Sequence, residues 1–102
     1  MRMIVFFDIP VKTKQERKIA TEFRKFLIDD GYYMMQYSVY TRMCNTIENA
    51  LAHEFRLKQH LPPKGSVRDL IVTEKQFAQM SILCGPKKKK DKKISPNQLT
   101  LF

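Results

Sequence analysis

The sequence is poor in cysteine and has no long apolar run. Cys44 and Cys84 are the only cysteines among 102 residues, which is too few for a disulfide framework. Neither lies at zinc-ligand spacing from another Cys or a His. No apolar stretch reaches the 18 residues of a membrane-spanning helix, and the amino terminus lacks the apolar region of a signal peptide. We therefore expect a cytoplasmic protein whose two cysteines are small core residues.

Acidic residues are also scarce, since ten Asp and Glu stand against nineteen Lys and Arg, for a net charge of +9. Lys87–Lys93 holds six of the lysines and one aspartate, a charge of +5, so residues 1–86 carry only +4. Such an excess is typical of proteins that meet phosphate, although a lysine run identifies no particular nucleic acid. The 43% hydrophobic content is enough for one small packed domain, which we expect a partner subunit to stabilise.

The amino-terminal half predicts a strand, a helix and a further strand region. Met3–Ile9 is a near-continuous apolar run with β-branched and aromatic residues, typical of a strand buried on both faces. Thr13 and Glu16 match a capping box, which predicts a helix from there to Gly31. Tyr32–Tyr40 then forms either one long strand or two short strands broken near position 36.

The second half predicts another helix and further strands. The helix runs from Asn45 or Thr46 to about His60, and its apolar stripe consists of Ile47, Ala50, Leu51, Phe55 and Leu61. Val67–Thr73 predicts a strand and Met80–Cys84 a shorter one. The order is an α+β ferredoxin-like βαββαβ plan with an additional short C-terminal strand. Its helices cover one face of the sheet, so the other face needs a cover.

The chain divides into a ferredoxin-like domain over residues 1–85 and a lysine-rich tail over residues 86–102. Like charges at the density of the lysine run repel one another and bury nothing, which predicts a solvated tail. The tail finishes in an apolar tip, Leu99–Phe102, which predicts that the tip docks on another surface.

Asp8 is the candidate catalytic and metal-binding residue. A lone carboxylate at the carboxyl end of a central strand is costly to bury and suits a hard cation such as Mg²⁺ or Mn²⁺. The alternative is a carboxylate that accepts backbone N–H bonds in the turn that follows. One carboxylate holds Mg²⁺ poorly, but a two-fold dimer supplies Asp8 twice. The ion would then assist phosphodiester hydrolysis.

The other candidates carry weaker signals. His53 and His60 share a helix face without acidic or Cys partners at ligand spacing, which favours solvated positions, and Ser38 has no readable triad partners. The tyrosines between positions 32 and 40 favour core or dimer packing over base stacking. The cations around the first helix fit either phosphate tracking or a solvated face; they are Lys12, Lys14, Arg17, Lys18, Arg24 and Lys25.

Four segments, in this order, resemble the CRISPR-associated Cas2 family, and in particular its variants from single-effector (type II) systems. They are MIVFFDIP at 3–10, FRKFL at 23–27, MMQYSVY at 34–40 and VTEKQF at 72–77. The resemblance covers residues 1 to about 84. It implies a homodimer with sheets packed face to face. It also implies a complex with the Cas1 integrase, in which the dimer bridges two integrase dimers and binds protospacer duplex DNA during spacer acquisition.

The resemblance also implies site residues. The family's acidic residue at the end of the first strand maps onto Asp8, and family members are described as magnesium-dependent nucleases on RNA or duplex DNA. Arg17 matches an arginine of the first helix. Ser38 and Tyr40 match the family's serine and following aromatic residue and are near-site candidates. The position before the serine, often Arg in the family, is Tyr37, which departs from the full nuclease constellation.

Two kinds of function remain open at this point. The first is a DNA-bridging protein of spacer acquisition that carries a magnesium-dependent nuclease site. Integration need not depend on that nuclease activity. The second is a toxin-like ferredoxin-fold ribonuclease of the mRNA interferase type, because one fold hosts many functions. A neighbouring integrase gene and repeat array would favour the first, and a neighbouring antitoxin gene the second.

Overall fold

The computed structural model describes residues 1–85, and the predicted tail with its lysine run and apolar tip lies outside the described residues. The elements, in chain order, are β1 (Arg2–Asp8), α1 (Lys14–Asp29), β2 (Tyr33–Gln36), β3 (Val39–Met43), α2 (Ile47–Lys58), β4 (Ser66–Val72) and α3 (Glu74–Ala78). Within residues 1–85, no helix is long and apolar enough to cross a membrane.

The four strands form one sheet in the order β2-β3-β1-β4, and every neighbouring pair is antiparallel. With β1 in the centre and a helix after β1 and after β3, this is the ferredoxin-like arrangement, so the predicted α+β fold class is confirmed. Because β1 lies between β3 and β4, its last residues lie beside the first residues of those two strands.

The two faces of β1 have different surroundings. Met3, Val5 and Phe7 point to the inner face, where they join a core with buried residues of both long helices, namely Ala20, Phe23, Leu27, Ala50 and Leu57. Phe6 and Asp8 point to the outer face and are exposed. The prediction of a strand buried on both faces therefore holds for the inner face and fails for the outer face near the end of β1.

Helix α1 begins as the sequence predicts. Thr13 is its N-cap, the Thr13 hydroxyl accepts from the Glu16 N–H, and the Glu16 carboxylate accepts in return from the Thr13 N–H. These bonds satisfy donors that the first helical turn leaves free. The bond from the Thr13 N–H, together with one from the Lys12 N–H, lowers the pKa of the Glu16 carboxyl.

Helix α2 buries a different stripe from the predicted one. Ala50 and Leu57 face the core, whereas Ile47, Leu51 and Phe55 are exposed, as is Leu61 beyond the helix end. Residues four apart advance by about 40° around an α-helix, so an i, i+4, i+8 row winds away from the buried face. The predicted stripe was wrong because it joined this row to the core position Ala50.

Of the two alternatives for the Tyr32–Tyr40 region, the structure has two strands, with a turn at Tyr37–Ser38 directly after position 36. It corrects two further predictions. Met80–Cys84 is not a strand in the described chain: no strand pairs with it, and a strand requires a ladder partner. The short helix α3, which begins at a Thr73–Gln76 capping box, precedes it instead. Cys44 is buried as expected, but Cys84 is exposed.

Candidate functional site

An open groove of about 360 Å³ lies where the end of β1 meets the start of β4 and the β2–β3 turn. Apolar and polar residues both line it: Phe6, Phe7, Asp8, Tyr37, Ser38, Val39, Ser66 and Arg68. Two predicted site residues, Asp8 and Ser38, therefore come together here.

Asp8 is the last residue of β1 and lies opposite Ser66 in the ladder with β4. Its side chain is exposed, and within residues 1–85 no donor or cation lies within bonding distance of its carboxylate. The alternative role, acceptance of backbone N–H bonds in the following turn, is not realised. The carboxylate is therefore available to a ligand.

Gly65, in the turn before β4, lies close to the backbone of Asp8. The backbone of Gly65 is left-handed, with φ +97°, and a Cβ added there would lie 2.4 Å from the carbonyl oxygen of Asp8. Only glycine allows this approach, because any side chain would occupy the space of that carbonyl. The turn before β4 thus presses directly against the site.

Arg68 is the site residue that sequence reasoning missed. It pairs with Phe6, and Asp8 pairs with Ser66, so Arg68 and Asp8 project from the same face as diagonal neighbours. Such diagonal positions in antiparallel strands lie about 7–8 Å apart. Alternation along Val67–Thr73 already marked Arg68 as facing away from the core, but only the register between β1 and β4 places it beside Asp8.

Ser38 and Tyr40 differ in position although they are two residues apart. Ser38 occupies the β2–β3 turn with a φ of +72°, and its carbonyl accepts from the Phe7 N–H at 3.0 Å, which holds the turn beside the end of β1. Tyr40 is only 3% exposed on the inner face, with its ring centroid 5.6 Å from that of Phe7. Tyr40 packs against Phe7 of β1 on the inner face and does not line the groove.

Of the six cations predicted to bind nucleic acid, one reaches the groove and five lie away from it. Arg24 reaches the groove wall, with its guanidinium carbon 4.8 Å from the ring centroid of Tyr37. Arg17 donates to the carbonyls of Val11 and Lys12 at 3.2 and 3.0 Å, so it shapes the loop between β1 and α1. The remaining four are exposed on that loop and on α1, in the helical layer: Lys12, Lys14, Lys18 and Lys25.

The two histidines lie away from the groove and have different partners. His53 Nδ1 is 2.9 Å from Oδ2 of Asp30, and the imidazole is mostly buried, so the prediction of a solvated position was wrong for His53. His60 is exposed, as predicted, and its ring stacks on Phe26 with centroids 4.0 Å apart. Neither histidine belongs to the Asp8 site.

The Asp8 site has the donor type of a hard-cation site but only part of the donor number. A carboxylate and two serine hydroxyls supply the oxygen ligands that Mg²⁺ accepts. Among residues 1–85, however, no three His, Cys, Asp or Glu side chains lie close enough to hold a metal ion. The residues present therefore fit a magnesium ion only if a second copy of the chain contributes its own Asp8.

A pair of neighbouring carboxyl groups lies on the inner face, away from the groove. Asp69 of β4 is opposite Val5, and its carboxyl lies near that of Glu54 on α2. Burial, followed by interaction with the neighbouring Glu54 carboxyl, raises the pKa of the Asp69 carboxyl to about 6. This pair lies at the contact between α2 and the sheet.

The fold and the groove together define a small ferredoxin-like protein whose central strand ends in one exposed carboxylate. Comparison with known sequences confirms the predicted family. The chain belongs to the family described as CRISPR associated protein Cas2, whose model matches residues 1–80.

Named relatives cover the chain at high identity. A protein of Acidovorax ebreus named CRISPR-associated endoribonuclease Cas2 is 51% identical over 102 residues, the full length of both chains. The protein of the same name from Campylobacter jejuni is 45% identical over the whole of this chain and 71% of its own length. The crystal structure of Streptococcus pyogenes Cas2 at pH 6.5 covers 82% of this chain and 100% of its own, with 22% identity and a TM-score of 0.61, which shows the shared fold.

Proposed function

We propose that this chain is a homodimeric nucleic-acid-binding protein of CRISPR spacer acquisition that carries a magnesium-dependent endonuclease site at Asp8. The observation that carries the catalytic part is the exposed Asp8 carboxylate, which has no protein partner within residues 1–85. Family membership supports the CRISPR role. The names of the relatives support RNA as one substrate.

The outer face of the sheet supports the dimer. Outside the helical layer, the sheet exposes apolar side chains on all four strands, including Phe6, Tyr33, Met43 and Leu70. An apolar face of this kind marks an interaction surface, because it remains in water until another surface covers it. A second copy packed sheet to sheet over the apolar part of this face, with the Asp8 groove left at its rim, would bring a second Asp8.

Asp8 from each protomer would hold one magnesium or manganese ion. When bound, such an ion supplies Lewis-acid polarisation of a phosphodiester and activation of a water. The chain's own contribution is to hold the carboxylate at the open end of β1, fixed by the Ser66 pairing and by the close approach of Gly65.

The charge distribution supports binding of duplex DNA. Exposed lysines on α1 and its leading loop offer contacts to phosphates without base recognition, as a bridge between Cas1 integrase dimers would require: Lys12, Lys14, Lys18 and Lys25. Binding of this kind weakens steeply with salt and tolerates any sequence. Loss of sequence tolerance in the isolated dimer would count against it.

Integration of a labelled duplex into a repeat-bearing plasmid by the cognate Cas1 integrase tests the architectural part. The reaction is run with wild-type protein, with Asp8→Ala, and without this protein. We expect integration to require the protein and to proceed with Asp8→Ala. Unchanged integration when the protein is omitted would remove the bridging role. Loss of integration with Asp8→Ala, in a complex that still assembles, would instead make metal chemistry part of integration.

Cleavage of labelled RNA and of labelled duplex DNA tests the nuclease part separately. Wild type, Asp8→Ala and the control Asp29→Ala are compared with Mg²⁺, with Mn²⁺ and with a chelator. Asp29 is an exposed aspartate at the end of α1, so its loss removes the same charge away from the groove. We expect the chelator and Asp8→Ala to abolish cleavage and Asp29→Ala to retain it. Cleavage by Asp8→Ala at the wild-type rate would refute an Asp8 nuclease.

A toxin-like ribonuclease with the same fold is the competing function. It would need Asp8-dependent RNA cleavage and no integrase partner. The family match over residues 1–80 favours the spacer-acquisition role. Co-purification with the Cas1 integrase separates the two, since only the spacer-acquisition role requires that complex.

A further inference from the structure

Arg68 is an unused cation in the groove. Its side chain is exposed, and within residues 1–85 it has no hydrogen-bond, salt-bridge or aromatic partner. Although Asp8 is its diagonal neighbour across β1 and β4, the two side chains form no salt bridge. The groove therefore holds a guanidinium and a carboxylate on one face with an open space between them.

The guanidinium of this pair suits a phosphodiester, and the carboxylate suits the cation proposed to accompany it. A guanidinium presents a planar fork of N–H donors that matches two phosphate oxygens, which makes Arg the preferred residue for geometric recognition of phosphate. An anionic ligand held by Arg68 would lie next to the Asp8 side of the groove. Both residues stand on paired strands, Asp8 on the central β1 and Arg68 on the edge strand β4, which gives the pair a rigid base.

Tyr37 supplies an aromatic surface on the opposite wall. Its side chain is 75% exposed at the tip of the β2–β3 turn, and Arg24 of α1 lies over one part of its ring at 4.8 Å from the centroid. That cation–π contact, and the bond between the Phe7 N–H and the Ser38 carbonyl, hold the turn in place. A ring held on one side and open on the other can stack on an unpaired base.

We infer that Arg68 and Tyr37 form a nucleotide subsite beside Asp8, in which Arg68 binds a phosphate and Tyr37 stacks on an unpaired base. The inference rests on the proposed function for the identity of the ligand as nucleic acid. It names a phosphate-binding residue on β4 and a stacking residue at the position where the family pattern often has Arg. It also predicts that the groove accepts a single strand more readily than the interior of a duplex.

Binding in the presence of a chelator tests the subsite without cleavage. The probe is a fluorescein-labelled oligothymidylate, with an abasic oligomer of equal length as the second probe. The variants are Arg68→Ala, Arg68→Lys, Tyr37→Ala, Tyr37→Phe and the control Lys75→Ala. Lys75 is exposed on α3, which follows the end of β4 that pairs with Arg2, at the opposite end of β1 from Asp8.

Each variant has its own expected result. Arg68→Ala should weaken binding of both probes about tenfold and reduce the salt slope by about 0.7 for each phosphate that is no longer neutralised. Arg68→Lys should recover only part of the affinity, since an ammonium lacks the fork. Tyr37→Ala should weaken oligothymidylate binding about tenfold and leave the abasic probe unchanged, while Tyr37→Phe binds as wild type. Lys75→Ala should change affinity by about twofold or less.

Several outcomes would overturn the inference. Binding by Arg68→Ala as tight as that of Lys75→Ala would remove the phosphate role, and equal losses by Tyr37→Ala on both probes would remove the stacking role. Sedimentation should find Arg68→Ala at the wild-type oligomeric state, and dissociation would assign Arg68 to subunit contact instead. Asp8→Ala should bind both probes in the presence of chelator. The binding test therefore remains informative even if the nuclease proposal fails.

Discussion

The imidazole Nδ1 of His53 lies 2.9 Å from Oδ2 of Asp30, a carboxylate with only 6% of its side chain exposed. Arg56 Nε donates to the other oxygen, Oδ1, at 2.8 Å, and Arg42 donates to the Asp30 backbone carbonyl. Asp30 caps the end of α1, His53 and Arg56 belong to α2, and Arg42 belongs to β3. One carboxyl-terminal cap residue therefore joins both long helices to the sheet.

Replacing Asp30 should destabilise the fold. Asp30→Ala leaves the mostly buried His53 without its acceptor, while Arg56 can return partly to water, so we expect a loss of about 2–3 kcal/mol in the free energy of unfolding. Urea denaturation measures it. Asp29→Ala, one residue earlier and exposed, is the matched control and should change stability by about 0.5 kcal/mol or less. Equal losses in the two variants would contradict the role of the Asp30 carboxylate.

The stability of the protein should fall as pH rises through the titration of Asp69. Burial and Glu54 raise the pKa of the Asp69 carboxyl from 3.8 to about 6, so the folded state favours the neutral acid. The unfolded chain releases that proton near pH 3.8 and the folded chain near pH 6, so stability declines across this window and stays lower above it. Asp69→Asn should remove the decline.

The gain from Asp69→Asn should therefore depend on pH. Because the site is partly exposed, we expect about 1 kcal/mol above pH 6.5 and none near pH 4, after allowance for solvent screening. Thermal unfolding at several pH values measures the difference from wild type. Asp29→Asn, which removes an exposed carboxyl, is the control and should give a flat difference. A flat difference for Asp69→Asn as well would contradict the assignment.

Gly65 should not tolerate a side chain. Gly65→Ala combines a left-handed backbone with a Cβ that would lie 2.4 Å from the Asp8 carbonyl oxygen, so the turn or the end of β1 must shift. We expect a loss of about 2–4 kcal/mol in the free energy of unfolding. Gly85→Ala is the control, because Gly85 has a φ of +120° but nothing within 4 Å of the added Cβ. Similar losses would show that backbone conformation alone, and not the approach to Asp8, sets the cost.

A charge on the outer face of the sheet should dissociate the proposed dimer. Leu70 is 52% exposed on the edge strand β4, at the position that pairs with Ile4, midway along the strand on the apolar face. Burial of an unpaired carboxylate is costly, so Leu70→Glu should give monomers in sedimentation at concentrations where wild type is dimeric. Leu51→Glu changes a 50% exposed leucine on α2 and should remain dimeric. Dissociation by Leu51→Glu alone would place the subunit contact on α2.

Local signals in the sequence predicted much of the fold. The Thr13–Glu16 capping box gave the start of α1, and the apolar run Met3–Ile9 gave the central strand. These features depend on residues close in sequence, so the sequence carries them directly. The same local rule also exists at Thr73 and Gln76, where a capping box begins α3, but only five residues follow in that helix. A segment so short gives little apolar periodicity to recognise.

The candidate site was only partly predictable, because it depends on register and on contacts between distant segments. Asp8 stood out from its own strand, since a carboxylate ends an apolar run. Arg68 became visible only when the ladder placed it diagonally across from Asp8, and the Asp30–His53 pair spans 23 residues. Alternation in a strand separates two faces but does not say which residues of another strand share them.

Strand β1 serves the core with Met3, Val5 and Phe7 and the groove with Asp8, and these two sets alternate along one strand. A single residue inserted between Phe7 and Asp8 would turn the carboxylate towards the helices, and a deletion within β1 would do the same. The length of this strand is therefore constrained more tightly than its composition. Single substitutions at the groove rim can change its ligand, whereas one residue more or less in this strand moves Asp8 off the groove face.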